Sequence, residues 1–320
     1  MVALRQYAPA PGLPPSFLWE ADTLWERSAW RIRVSDQLLG AFRQIVADLP
    51  LDKEFFEHYA HGRIALPGLQ ELADGIRQEL QDGSGVVWLK GPPASGFTEA
   101  QMKFFFLVVG EAMGNTIGNY GRLYDVKDQG GSHKKERIPV SQTRATTGFH
   151  TDSSAHNTMP DIVALLCVQP APTGGDSLVV SAAAIHEELR KAHPEVLALL
   201  YREFIRDVVT PGVGRTREAL LNNRFPVFSQ GLYGPGVSFR YMRYWIEKGH
   251  QEAGLALGDE EMAALDSLDT LLSLPRFAAQ FRLEAGDHVW VNNHLVAHNR
   301  TGYEDDPRAP RHLVRMWIST

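Results

Sequence analysis

From residue 145 onward the chain is a succession of short apolar or alternating runs, each bounded by Gly, Pro, Asn or Asp: 162–168, 177–181, 225–229, 237–241, 280–284, 288–291 and 311–319. Runs this short, at this spacing, bury their apolar faces by pairing antiparallel in a sandwich or barrel. Two longer runs interrupt them, 182–204 and 259–274, with apolar residues three and four apart, and these predict packed outer helices with no chemical role.

The first 115 residues have a different texture. Helical patterns cover 35–49, 69–81 and 98–114, the last opened by Thr98 with Gln101 three residues on, and a short strand is predicted over 85–90. Residues 9–15 read as a Pro-rich arm, and 127–138, with two glycines and four Lys/Arg in twelve positions, as a charged mobile loop. With no internal repeat, one domain over 1–320 is the simplest count: a helical part and loop over 1–140, and a mainly β core with helical inserts over 141–320.

Charge and composition exclude several classes. Lys+Arg 32 against Asp+Glu 38 gives a formal charge of -6, which offers no footprint for a phosphate backbone, so nucleic acid is not an expected partner. No apolar run approaches the roughly 18 residues needed to span a bilayer. The first residues lack the apolar core of a signal peptide, so a cytoplasmic protein is expected, and a homo-oligomer is compatible with this reading. The single Cys167, within IVALLCV, reads as a buried core thiol.

The candidate chemistry begins with the twelve histidines. Chance places an acid two residues after about 1.4 of them. Four have one: His150 with Asp152, His186 with Glu188, His193 with Glu195, and His250 with Glu252. Residues two apart share a side of a strand but not of a helix, and only His150 and Asp152 lie where a strand begins. A non-heme iron site with two histidines and one carboxylate needs a third ligand, for which His294 and His298 are the candidates. In RHLVRMWIST, a strand would set Arg311, Leu313, Arg315 and Trp317 on one face, the two arginine roots about 13 Å apart. A partly buried Arg needs an anion, and its planar fork suits a carboxylate, either one of the protein's own or a ligand's.

Four ordered elements carry a family resemblance: GFHTDSS (148–154), TGGDSLVVS (173–181), NNHLVAHNRTGYED (292–305) and RHLVRMWI (311–318). A looser match is NYGRLYDV (119–126). In this order and separation the sequence resembles the iron(II)- and 2-oxoglutarate-dependent oxygenases of the taurine dioxygenase (TauD/TfdA) group.

The resemblance implies a double-stranded β-helix, or jelly roll. It implies His150, Asp152 and His298 as iron ligands, His298 taking the distal place five residues after Asn293. It implies Ser177 and Arg311 as the clamp on the distal carboxylate of 2-oxoglutarate, Arg311 standing thirteen residues after His298. Arg315 matches a position that faces the primary substrate in several members. The implied reaction couples oxidative decarboxylation of 2-oxoglutarate by dioxygen to hydroxylation of an unactivated C–H bond. Related halogenases have a small residue in place of Asp152, which favours hydroxylation. Arg315, with Arg144, Arg240 and Arg243 as further candidates, points to a small carboxylate-bearing substrate, a free amino acid or derivative. The loop at 127–138 is the expected lid. The alternative class is a redox-inert metal hydrolase or isomerase on a similar barrel, which would have no use for Ser177 and Arg311.

Overall fold

A computed structural model describes residues 14–59, 64–118, 121–128, 130, 143, 146, 148–156, 159–207, 216–230 and 236–320. Most of the predicted arm and loop, and Arg144, lie outside them.

The larger sheet is mixed. It runs in the order β1 (Arg31–Arg33), β2 (Val86–Lys90), β13 (Asp287–Asn292), β5 (Ile162–Gln169), β16 (His312–Ser319) and β3 (Asn115–Thr116), with β4 (Tyr124–Val126) also paired to β16. Only β1 and β2 pair in parallel. A smaller sheet has the order β12 (Ala279–Phe281), β7 (Ser177–Ser181), β14 (Val296–Arg300). Among the described residues, three two-stranded ribbons complete the β structure: β6 (Thr173–Gly174) with β15 (Tyr303–Glu304), β8 (Glu203–Ile205) with β9 (Arg224–Pro226), and β10 (Phe228–Gln230) with β11 (Val237–Phe239).

The apolar sequence of β5 follows from burial on both faces. Its Ile162, Ala164, Leu166 and Val168 join β16's Val314, Met316 and Ile318 in a core with α4 (Leu69–Gln81) and α5 (Glu99–Met113). Its Val163 and Cys167 join Leu313, Val289 and Val291 in a second core, which the smaller sheet closes with Val179, Ala279, Phe281 and Val296. The smaller sheet's other face, including Val180 and Ala297, packs on α6 (Ala182–Ala192), α7 (Pro194–Leu200) and α10 (Asp259–Ser273). Two sheets thus share an apolar layer with helices outside each. The remaining helices among the described residues are α1 (Ala21–Glu26), α2 (Asp36–Val46), α3 (Lys53–His58), α8 (Arg217–Asn222) and α9 (Arg243–Ala253).

Local sequence explains the helix ends. Thr98 Oγ1 accepts from Gln101 N while Gln101 Oε1 accepts from Thr98 N, the expected capping box. Helix α5 is apolar around most of its circumference because it is buried there, and Gly110 lets it meet β16: a Cβ at that position would lie 2.0 Å from Met316 Cε.

Four expectations need correction. The run 182–204 is two helices and a strand, because Pro194 cannot donate to the preceding turn and His193 before it is driven out of helical geometry. The run 225–229 splits into the adjacent ends of β9 and β10. Residues 243–253, including His250, are helical, where no helix was expected. A register shift between His312 and Leu313 breaks the alternation of the last strand, so its period relates Leu313, Arg315 and Trp317 but does not extend to Arg311, which precedes the strand. Cys167 is a buried thiol, and burial pushes its pKa up to about 12.

Candidate metal centre

His298 lies in β14, a strand absent from the sequence reading, and His150 pairs with it in an isolated antiparallel bridge: each backbone N donates to the other's carbonyl, at 3.0 and 2.9 Å. Asp152 is not on a strand with His150. It opens a turn in which Ser153 takes the left-handed conformation at φ 58. The pair converges because a bridge fixes the first residue and a turn folds the second back.

That turn is held from all sides. The fully buried Asn293 accepts from Asp152 N at 2.9 Å and donates to Asp152 O and Pro160 O. Thr151 exchanges hydrogen bonds with the Tyr241 backbone. The Ser154 carbonyl accepts from Arg206 Nη1 at 3.2 Å and Arg240 Nε at 2.7 Å, and the Ala155 carbonyl from Asn223.

His150, Asp152 and His298 present ligand-type atoms all within 4.8 Å of one another. Asp152 Oδ1 is 3.5 Å from His150 Nε2 and 3.6 Å from His298 Nε2, and the imidazole rings are 4.4 Å apart. His150 Nδ1 lies 2.9 Å from the Gly148 carbonyl, a contact that places the proton on Nδ1 and leaves the Nε2 lone pair for a metal. Burial opposes the Asp152 charge, but the Arg315 guanidinium and the two histidines outweigh it and hold the carboxyl well below its usual range. Burial and nearby His150 push the His298 pKa down, favouring the neutral, ligating form. Two imidazoles and one carboxylate on a shared side, with neighbouring donors turned to the carboxylate's far oxygen, fit a divalent iron with open positions.

The other histidine candidates are occupied elsewhere. His294 Nε2 is 2.9 Å from Asp161 Oδ1, His186 Nε2 is 2.9 Å from the Tyr201 hydroxyl, and His250 Nε2 accepts from Ile205 N. His193 and Glu195 form an ion pair at 3.9 Å with both side chains about half or more exposed.

Arg311 is 4% exposed, and among the described residues no carboxylate lies within ion-pair distance of its guanidinium. The group lies 5.0 Å from the Tyr303 ring and against Gly175, where a Cβ would approach Arg311 Nε to 3.0 Å. Burial first, then nearby Arg300, lower its pKa to about 10, so it remains a cation at neutral pH. Asp305 accepts from the Arg311 backbone N and adds negative charge nearby, yet a buried cation with no ion pair among the described residues fits a ligand carboxylate.

Ser177 opens β7 opposite Arg300 of β14, and Arg300 is two positions along from His298 on the same face. Arg300 lies 4.8 Å from Tyr303 and donates Nη2 to the Thr143 carbonyl. Sequence reasoning missed Arg300. The signal was present, an arginine two residues after the distal histidine, but needs the strand to be recognised.

The remaining arginine candidates each have partners within the protein. Arg315 Nη1 donates to Asp152 Oδ2 at 3.1 Å, so this arginine already touches the metal site. The Arg240 guanidinium stacks 3.5 Å from Phe225 while Nε holds the Ser154 carbonyl. Arg243 starts α9, and its guanidinium is paired with Glu247, Asp266 and Asp269.

The sequence model of the family described as "Taurine catabolism dioxygenase TauD, TfdA family" matches residues 48–317. FR-33289 synthase of Streptomyces rubellomurinus is 30% identical over 251 residues, covering 76% of this chain and 71% of that protein. An asparagine oxygenase solved with Fe(II), 2S,3S-3-hydroxyasparagine and succinate superposes with a TM-score of 0.67 at 18% identity, covering 91% of this chain and 94% of the other. The non-heme iron oxygenase OrfP, solved with Fe, succinate and (3S)-hydroxy-L-Arg, gives a TM-score of 0.62 at 13% identity over 90% and 94%.

Proposed function

The chain belongs to the TauD/TfdA family and is an Fe(II)- and 2-oxoglutarate-dependent dioxygenase; on that premise we propose that it hydroxylates an unactivated C–H bond of a small carboxylate-bearing substrate, a free amino acid or derivative. His150, Asp152 and His298 hold the iron, and Arg311 with Ser177 holds the distal carboxylate of 2-oxoglutarate. The redox-inert hydrolase or isomerase has no support from these relatives. The proposed architecture is one domain over 1–320 whose two facing sheets form a double-stranded β-helix.

The observation that carries this reading is the convergence of three ligand atoms from segments 146 positions apart (298 − 152), together with a buried arginine that has no ion pair among the described residues. When bound, iron(II) with 2-oxoglutarate and dioxygen supplies the oxidising chemistry. The chain's own residues supply position. His150 is held with Nε2 inward by the Gly148 carbonyl, and Asp152 keeps its charge through Arg315 and the histidines. Arg311 orients one end of the cosubstrate, and the apolar layer around Val179, Val296 and Leu313 excludes water from the inner side.

The amino-acid assignment rests on Arg315 and on the neighbours solved with hydroxyasparagine and hydroxyarginine. Arg315 is 17% exposed and spends one nitrogen on Asp152, which leaves further donors for a substrate carboxylate. Among the described residues no helix is long and apolar enough to cross a membrane.

The test is succinate release across a panel of amino acids and other carboxylates, with anaerobic iron titration of variants. His150→Ala, Asp152→Ala and His298→Ala should each abolish turnover and iron binding, while His294→Ala keeps iron affinity. Wild-type iron binding in His298→Ala overturns the ligand assignment.

A further inference from the structure

The two oxygens of Asp152 live in different surroundings. Oδ1 faces His150 and His298. Oδ2 accepts from Trp317 Nε1 at 2.7 Å and from Arg315 Nη1 at 3.1 Å. The two donors form one assembly: the Arg315 guanidinium lies 4.6 Å from the Trp317 ring and 5.0 Å from the Tyr124 ring on its other contact. Trp317 and Arg315 leave the same face of β16, two residues apart, and β4 brings Tyr124 directly opposite Arg315.

We propose that Trp317 is a positioning residue for the metal: its indole N–H holds Asp152 Oδ2, so that the carboxylate offers the iron Oδ1 alone. The proposal deepens the assignment of Asp152 as a ligand and rests on it. Two oxygens of a free carboxylate compete for a cation, and a carboxylate able to rotate can chelate through both and fill a position the reaction needs open. An oxygen already accepting two hydrogen bonds, one charged, is poorly available to a metal. The indole is the more fixed donor, because its ring is packed against the apolar layer between the sheets and carries one N–H in one direction. Arg315 has several donors on a long stem. Trp317 can therefore hold Oδ2 while Arg315 also meets a substrate.

The experiment uses Trp317→Phe, which removes the N–H and keeps an aromatic ring. Anaerobic titration should show a 10- to 100-fold weaker iron affinity, the usual consequence of losing a group that orients a ligand. The visible bands of the Co(II)-substituted protein should shift as the carboxylate changes its mode of ligation, a readout that simple loss of packing would not move. If Trp317→Phe does not fold, 3-benzothienylalanine at position 317, with sulfur in place of N–H, makes the same test. Iron affinity within twofold of wild type with unchanged Co(II) bands overturns the proposal, provided Asp152→Ala has lost iron. If Asp152→Ala retains iron, the ligand assignment fails and the proposal falls with it.

Discussion

Arg206 and Arg311 are both hidden from solvent, at 0% and 4% exposure, yet their surroundings differ in kind. Arg206 is ringed by main-chain acceptors: Nη1 donates to Ser154 O, and Nη2 to Pro226 O at 3.0 Å and Arg240 O at 2.7 Å. Arg311 has an aromatic edge, a glycine and a second arginine nearby, with no carboxylate in reach among the described residues. The first ties the ligand-bearing turn to β9 and the segment after β11. The second stores an unmet need for an anion. Burial alone does not say what an arginine is for; the acceptors around it, or their absence among the described residues, do.

The sharpest test of this contrast is stability. Arg206→Ala takes the side-chain donor from the Pro226 and Arg240 carbonyls and one of the two from Ser154 O, and should cost about 3 to 5 kcal/mol, read by denaturant unfolding of the metal-free protein. Arg311→Ala should leave that stability within about 1 kcal/mol of wild type or raise it, since among the described residues it gives up the contact with the Tyr303 ring but no ion pair. A large loss of stability in Arg311→Ala would break the comparison.

Ligand binding should show the reverse order. Arg311→Ala is expected to weaken 2-oxoglutarate binding by about 2 to 5 kcal/mol, measured by calorimetry with iron present. An unchanged dissociation constant would place the clamp elsewhere.

His288 sharpens the comparison from a third direction. It is fully buried among Phe105, Phe106 and Trp290, and neither ring nitrogen has a hydrogen-bond partner among the described residues. Unlike arginine, it can shed its charge, and burial pushes its pKa down to about 3. The folded pKa lies below the unfolded value of about 6.5, so the unfolded chain binds the proton first. Stability should therefore fall as pH drops from about 6.5 toward about 3, at up to about 1.4 kcal/mol per unit. At pH 5 the loss would be about 2 kcal/mol, and His288→Leu should flatten that limb of the stability profile. An equally steep acid limb in His288→Leu would assign the effect to other groups.

The smallest expected effect is at Ser177. Ser177→Ala should weaken 2-oxoglutarate binding by about 1 kcal/mol, as for one hydroxyl hydrogen bond, without changing iron affinity. A loss as large as that of Arg311→Ala would make the serine an equal partner in the clamp.

Much of the fold was legible before any coordinates. The runs at 69–81 and 177–181 coincide with α4 and β7, and the Thr98 cap sits where expected, because periodicity and capping are local. The errors cluster where a distant partner decides. Strand β14 carries His298 in VAHNR, a segment with little apolar alternation that is a strand because β7 pairs with it residue by residue. Helix α9 begins in RYW, which has no helical signature until α10 supplies Asp266 and Asp269 for Arg243.

The ligand set divides in the same way. The sequence by itself determined that His150, Asp152, a later histidine and then an arginine pair stand in the order of an iron oxygenase, because residue identity and spacing are one-dimensional properties. Choosing His298 over His294 by geometry needed the bridge to His150, and finding Trp317 and Arg315 on one oxygen of Asp152 needed the register of β16. Period along a strand says which side a residue takes. Which atoms then meet is set by the pairing of segments far apart in the chain, and hydrogen bonds and metal coordination depend on angstroms that only that pairing defines.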